Sequence, residues 1–185
     1  TLFPYTTLFR SSVPGKVMNY FVGGGRTLVR MNISKSLQEY CKRLHNPNYV
    51  ITETLDLNDL IHYDDLEDLL GLFLQSKGYY IYPSTNKLSA KSVEYELINI
   101  DTGVKACVQC KTGNDIIDKD DDIFKEQFAG YEIFISTTLG KDYNKYDNYG
   151  KSITTVYTDE LWEWAHLNYN LLPTRIKNYI DITNN

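Results

Sequence analysis

The chain has 185 residues, 42% of them apolar, with 16 Tyr and a formal net charge of −5. That length supports one domain with a buried core plus extra segments, and the acidic balance argues against a free-standing nucleic-acid binder with a basic surface overall. No window approaches the roughly 20 apolar residues of a transmembrane helix, no basic segment leads into an apolar signal-like run, and the 3 Cys make no disulfide framework, so a cytoplasmic setting away from membranes is expected.

Residues 1–12, TLFPYTTLFRSS, lack an initiator Met and lead into no periodic pattern. They resemble the translation of a sequencing-adapter read-through and are expected to be an adapter-derived tail. Residues 13–50 read as a linker or the remnant of an upstream domain missing from this chain. Within them the Gly23–Gly25 run lacks the Gly-Lys-Ser/Thr ending of a phosphate loop and reads as a turn. A short helix follows, with Ser36 as its cap, Glu39 three residues on, and Asn46-Pro47 ending it. The domain proper is expected over residues 51–185.

In 59–77, Leu66, Leu69, Leu70, Phe73 and Leu74 recur at helical spacing. GYYIYP then reads as a strand bounded by Gly78 and Pro83. Two further strands, 93–101 and 104–112, are joined at Thr102-Gly103 as a two-residue hairpin. DKDDDIFKEQFAG reads as a helix whose acidic first turn suits the helix dipole. YEIFIST and KSITTVYT read as strands, the first of them buried. A last helix, capped by Thr158 or Asp159, runs until Pro173 stops it. The order predicts a mixed α/β domain, a meander feeding a central sheet flanked by helices.

With a two-residue turn, Glu96 falls opposite Gln109 and Glu94 opposite Lys111. Side chains alternate along a strand, so Glu94, Glu96, Gln109 and Lys111 share one face, while Tyr95, Leu97, Val108 and Cys110 share the other. Hard oxygen donors beside an ammonium suit Mg²⁺, which takes one or two carboxylates and keeps several waters. Such a metal activates water and offsets phosphate charge. Cross-strand Glu–Lys pairs also occur on ordinary solvated sheet faces. On the upstream helix, at about 100° per residue, Glu67 lies at the edge of the apolar stripe, with Asp64, Asp65 and Asp68 farther round.

An acidic helix, a strand with an acid, then a strand ending Gln-x-Lys resembles the PD-(D/E)xK, or restriction-endonuclease-like, nucleases, in the Mrr-type variant where Gln replaces the usual acid. The resemblance covers about residues 59–160. It implies a restriction-endonuclease-like mixed sheet flanked by helices, and a Mg²⁺- or Mn²⁺-dependent endonuclease hydrolysing DNA in a bacterial or phage restriction or defence protein. It implies catalytic roles for Glu67, Glu96, Gln109 and Lys111. Glu96, Gln109 and Glu67 would hold the metal, and Glu94 is the rival acid. The family pattern favours Asp where this chain has Glu. DNA is the implied partner, and a homodimer is compatible with the pattern. The alternative is a non-catalytic domain of the same fold, used for DNA binding or assembly. A third reading is a plain interaction domain with a Tyr-rich contact surface.

Cys107 and Cys110 form one CxxC, but inside a strand residues three apart point to opposite faces, so the pair reads as structural. His62 reads as a capping or surface residue. Of Trp162 and Trp164, two apart on a helix, at most one is expected in the core. The acidic run Asp115–Asp122 reads as a solvated helix start.

Overall fold

The computed structural model describes residues 34–82, 93–113, 128–143, 147–148 and 151–183. Residues 1–33, with the adapter-like segment and the glycine run, lie outside the described residues. So do 114–127, which hold most of the expected acidic helix.

The chain divides into two compact units, one of residues 1–65 with 169–185 and one of residues 66–168. In the first, helix α1 (Lys35–His45) begins at Ser34, whose side chain accepts from the Leu37 amide. The expected cap, Ser36, lies inside the helix, and its Oγ instead accepts from the amide of Asp56 at 3.0 Å. Asn46 closes α1 as expected. A single turn, α2 (Leu57–Leu60), follows, with Asp56 as its cap. A short 3-10 turn (Tyr169–Leu171) precedes the C-terminal helix α5 (Thr174–Thr183). Tyr40 of α1 and Tyr179 of α5 bury their rings against each other, centroids 5.9 Å apart.

The long helix α3 (Tyr63–Ser76) crosses from the first unit into the second after Asp65. The second unit is a mixed sheet: β1 (Tyr79–Ile81), β2 (Tyr95–Asn99), β3 (Lys105–Lys111), β4 (Glu132–Thr137), β5 (Asp147–Asn148) and β6 (Lys151–Thr155), in the order β1-β2-β3-β4-β6-β5. β1, β2 and β3 form an antiparallel meander, and β4 and β6 then run parallel to β3. Five strands therefore make the body of the sheet, and two-residue β5 pairs antiparallel at its edge. Helix α4 (Thr158–Leu167) follows β6. Its cap is Tyr157, with no side-chain bond to the helix, rather than Thr158 or Asp159. Trp162 is buried, while Trp164 is half-buried with its ring edge-on to Phe73 of α3 at 6.0 Å.

Both sheet faces are covered. Tyr95 and Ile81 point towards α3, where a Cβ on Gly71 would lie 3.0 Å from Tyr95 Oη and 3.2 Å from Ile81 Cδ1. The other face carries a core of Val93, Cys107, Phe128, Ile133, Ile135, Tyr143 and Ile153.

The β2–β3 hairpin has a longer turn than the sequence suggests. The Asn99 amide donates to Val104 O at 2.8 Å, and the Gly103 amide returns to Asn99 O at 2.9 Å. Asn99 Oδ1 accepts from the amides of Asp101 and Thr102, at 3.1 and 3.0 Å. This side-chain cap takes residues 100–103 out of the strands, and Gly103 supplies the left-handed position at φ 69°. Tyr95 therefore pairs with Val108 and Glu96 with Cys107. The expected pairing of Glu96 with Gln109 is corrected. The slip is by two residues, so each side chain keeps its face.

Candidate functional site

Gln109 lies near the end of β3 and is 5% exposed. With the corrected register its cross-strand neighbour is Glu94, whose amide extends the ladder by donating to Val108 O at 2.8 Å. Gln109 Nε2 donates to Glu94 Oε1 at 3.0 Å. Lys111 Nζ lies 3.7 Å from the same oxygen, with the Lys side chain 38% and the Glu side chain 21% exposed. Gln109 Oε1, by contrast, is buried and has no hydrogen-bond partner among the described residues. A buried amide oxygen without a donor is costly, and such groups call for an explanation.

Glu96, expected beside Gln109, points to the same face one pair nearer the turn, opposite Cys107. Tyr131 Oη donates to its Oε2 at 3.4 Å, and Lys105 Nζ sits over the Tyr131 ring at 5.6 Å. The acid in contact with both Gln109 and Lys111 is Glu94. Glu67 is half-buried on α3, and its carbonyl accepts from Tyr95 Oη at 2.6 Å. That places Glu67 on the helix covering the Tyr95 face, across the sheet from the Gln109 row. Burial pushes the Cys110 thiol well above the usual range, the charges of Glu94 and Glu67 add to the shift, and Lys111 opposes it.

The Cys pair behaves as the strand geometry predicts. Both thiols are free and buried, and Cys107 and Cys110 lie on opposite faces. Burial, then Glu96, raises the Cys107 thiol to about 12, so neither is a thiolate at neutral pH. His62 starts α3: its Nδ1 accepts from the Asp64 amide at 3.4 Å, a capping role as expected.

One acid was missed. Asp65, which helical spacing places away from the apolar stripe, is 2% exposed within the first unit. Tyr179 Oη donates to its Oδ2 at 2.8 Å. Arg175 Nε lies 3.0 Å from Oδ1, an ion pair in distance but not aligned as a hydrogen bond. Its partners stand more than a hundred residues downstream, so no local pattern marks it.

Among the described residues no three His, Cys, Asp or Glu side chains converge as a metal-binding group. The donor set at the end of β3 is of another kind, one carboxylate with an amide oxygen. Mg²⁺ binds through one or two carboxylates and retains several waters, so Glu94 with the unpartnered Gln109 Oε1 fits it chemically. Among the described residues no helix is long and apolar enough to cross a membrane.

No protein-family model matches the chain, no curated protein matches it in sequence, and no solved structure matches its fold.

Proposed function

We propose that residues 59–160 form a metal-dependent nuclease domain of restriction-endonuclease-like type that hydrolyses DNA phosphodiester bonds. Its supports are the acidic helix, the acid-bearing strand and the Gln-x-Lys strand, in that order, with the two strands paired. The observation that carries the reading is Gln109 Oε1, a buried acceptor without a partner among the described residues, on an amide bonded to the Glu94 carboxylate that Lys111 also faces.

In this reading Glu94, not Glu96, takes the strand-acid role. Glu94 and Gln109 Oε1 would hold Mg²⁺ or Mn²⁺, and Glu67, on the helix across the sheet from them, is left out of the ligand set. The bound ion supplies charge for the phosphate and lowers the pKa of water. Gln109 Nε2 orients the Glu94 carboxylate. Lys111 exchanges its contact with Glu94 for the phosphate, where its ammonium offsets charge that builds in the transition state. Glu96, engaged by Tyr131, supports the sheet face.

The test is cleavage of plasmid DNA with Mg²⁺ and with EDTA, comparing the parent with Lys111→Ala. Nicking by the parent with Mg²⁺ alone, lost in the variant, supports the assignment. A second reading is favoured by Glu94 being satisfied internally by Gln109 and Lys111: a non-catalytic domain that binds DNA. Binding without cleavage by the parent selects it.

A further inference from the structure

Thr137 ends β4, and its Cα partner across the parallel pair is Lys111, which ends β3. Partners in a ladder share a face, so Thr137 stands in the Gln109–Lys111 row. It is 3% exposed, and its Oγ1 is buried with no hydrogen-bond partner among the described residues. Ser136, also unpartnered, faces the other way with Cys110 and does not join the row. The strand ends are fixed: the Thr138 amide donates to Lys111 O at 3.2 Å and the Gly113 amide to Thr138 Oγ1 at 2.9 Å. The row thus ends at the carboxyl ends of two adjacent parallel strands, where open α/β sheets bind their ligands.

The same row holds two buried oxygens without partners among the described residues, and they differ in chemistry. Gln109 Oε1 can only accept, so it suits a cation. Thr137 Oγ1 can donate, and in a row that ends with its Cα partner Lys111 the complementary ligand is an anionic oxygen. We propose that Thr137 is a substrate-binding residue of this site, its hydroxyl donating to a non-bridging phosphodiester oxygen that Lys111 also contacts. The inference rests on the nuclease reading and gives its substrate contact a chemical class: backbone phosphate rather than base edge. Such a contact positions the duplex without reading its sequence.

The experiment compares the full chain with Thr137→Val and Thr137→Ser. Binding of a short DNA duplex is followed by fluorescence anisotropy with Ca²⁺ in place of Mg²⁺, and each melting temperature is measured. Val keeps the shape and removes a hydroxyl that bonds none of the described residues, so the melting temperature should hold or rise. Affinity should fall about tenfold or more, as for loss of a hydrogen bond to a charged group, and by a similar factor on unrelated DNA sequences. Ser should stay within a few-fold of the parent. Parent-like binding by Thr137→Val overturns the proposal and leaves the nuclease reading standing. A fall in melting temperature alongside the lost affinity makes the hydroxyl structural, and also overturns it. A parent that binds no DNA removes the nuclease reading itself, and this inference with it.

Discussion

Gln109 Nε2 donates to Glu94 Oε1 at 3.0 Å, so Glu94 rather than Glu96 is the acid that faces the Gln-x-Lys strand. One side chain decides this. Asn99 Oδ1 caps the amides of Asp101 and Thr102 and lengthens the turn. Asn99→Ala removes both bonds from an exposed turn. We expect a loss of about 1 kcal/mol in denaturant unfolding, since the core beneath the two strands still sets which face each residue takes.

Gly71→Ala should destabilise the protein although Ala is the better helix former by about 1 kcal/mol. Its Cβ would meet Tyr95 Oη at 3.0 Å, and that hydroxyl is held by its bond to Glu67 O at 2.6 Å. Overpacking of this kind costs about 1–3 kcal/mol. Tyr95→Phe alone should lose about 1 kcal/mol with its hydrogen bond. Because Phe removes the nearest clashing atom, the double variant should lose less than the two single losses together. Strict additivity in urea unfolding would refute the contact.

Asp65 should matter for stability far more than its place beside Asp64 suggests. Asp65→Ala removes the carboxylate that accepts from the buried Tyr179 hydroxyl and should cost about 3 kcal/mol, as when one partner of a buried pair is removed. Arg175 is half exposed, with 48% of its side chain accessible, and Arg175→Ala should cost under about 1 kcal/mol. Equal losses in the two variants would contradict this ordering.

The Cys107 thiol has a signature at alkaline pH. Folding raises it from 9.0 to about 12, chiefly by burial and then by Glu96. The neutral thiol is favoured in the fold, so the linked stability is complete below about pH 9. It declines from there towards pH 12, because the unfolded thiol ionises first. Cys107→Ala should start less stable because of the cavity, but its stability should fall less steeply over that window. Parallel curves for parent and variant would show that the buried thiol is not coupled to folding. At neutral pH, Cys107 and Cys110 should resist alkylation until the protein unfolds.

Alternation was enough to sort Glu94, Glu96, Gln109 and Lys111 onto one face and Tyr95, Leu97, Val108 and Cys110 onto the other, because a period of two survives an even slip in register. It was not enough to choose between Glu94 and Glu96, which depended on how Asn99 spends its side-chain oxygen. Helix α5 is legible in its spacing. Ile176, Tyr179 and Ile180 have helical spacing and are buried. Pro173, read as a stop, in fact opens α5, its carbonyl accepting from Ile176 and Lys177. Asp65 was out of reach, since its burial is decided by Arg175 and Tyr179, distant in sequence. The orphaned oxygens of Gln109 and Thr137 depend on what each side chain fails to meet, which no sequence pattern records.

The register makes one comparison decisive: Mg²⁺-dependent nicking of plasmid DNA by the parent, Glu94→Ala and Glu96→Ala, with melting temperatures recorded for all three. The account predicts that the parent nicks DNA and stops with EDTA. Glu94→Ala should lose at least about a hundredfold in rate, as when a preorganised electrostatic group is removed, while remaining folded. Glu96→Ala should stay within about tenfold of the parent. Mn²⁺, higher in the divalent affinity order, should support the parent at lower concentration than Mg²⁺. If Glu96→Ala is dead while Glu94→Ala cuts normally, or if both cut as well as the parent, the site built on Glu94, Gln109 and Lys111 is wrong.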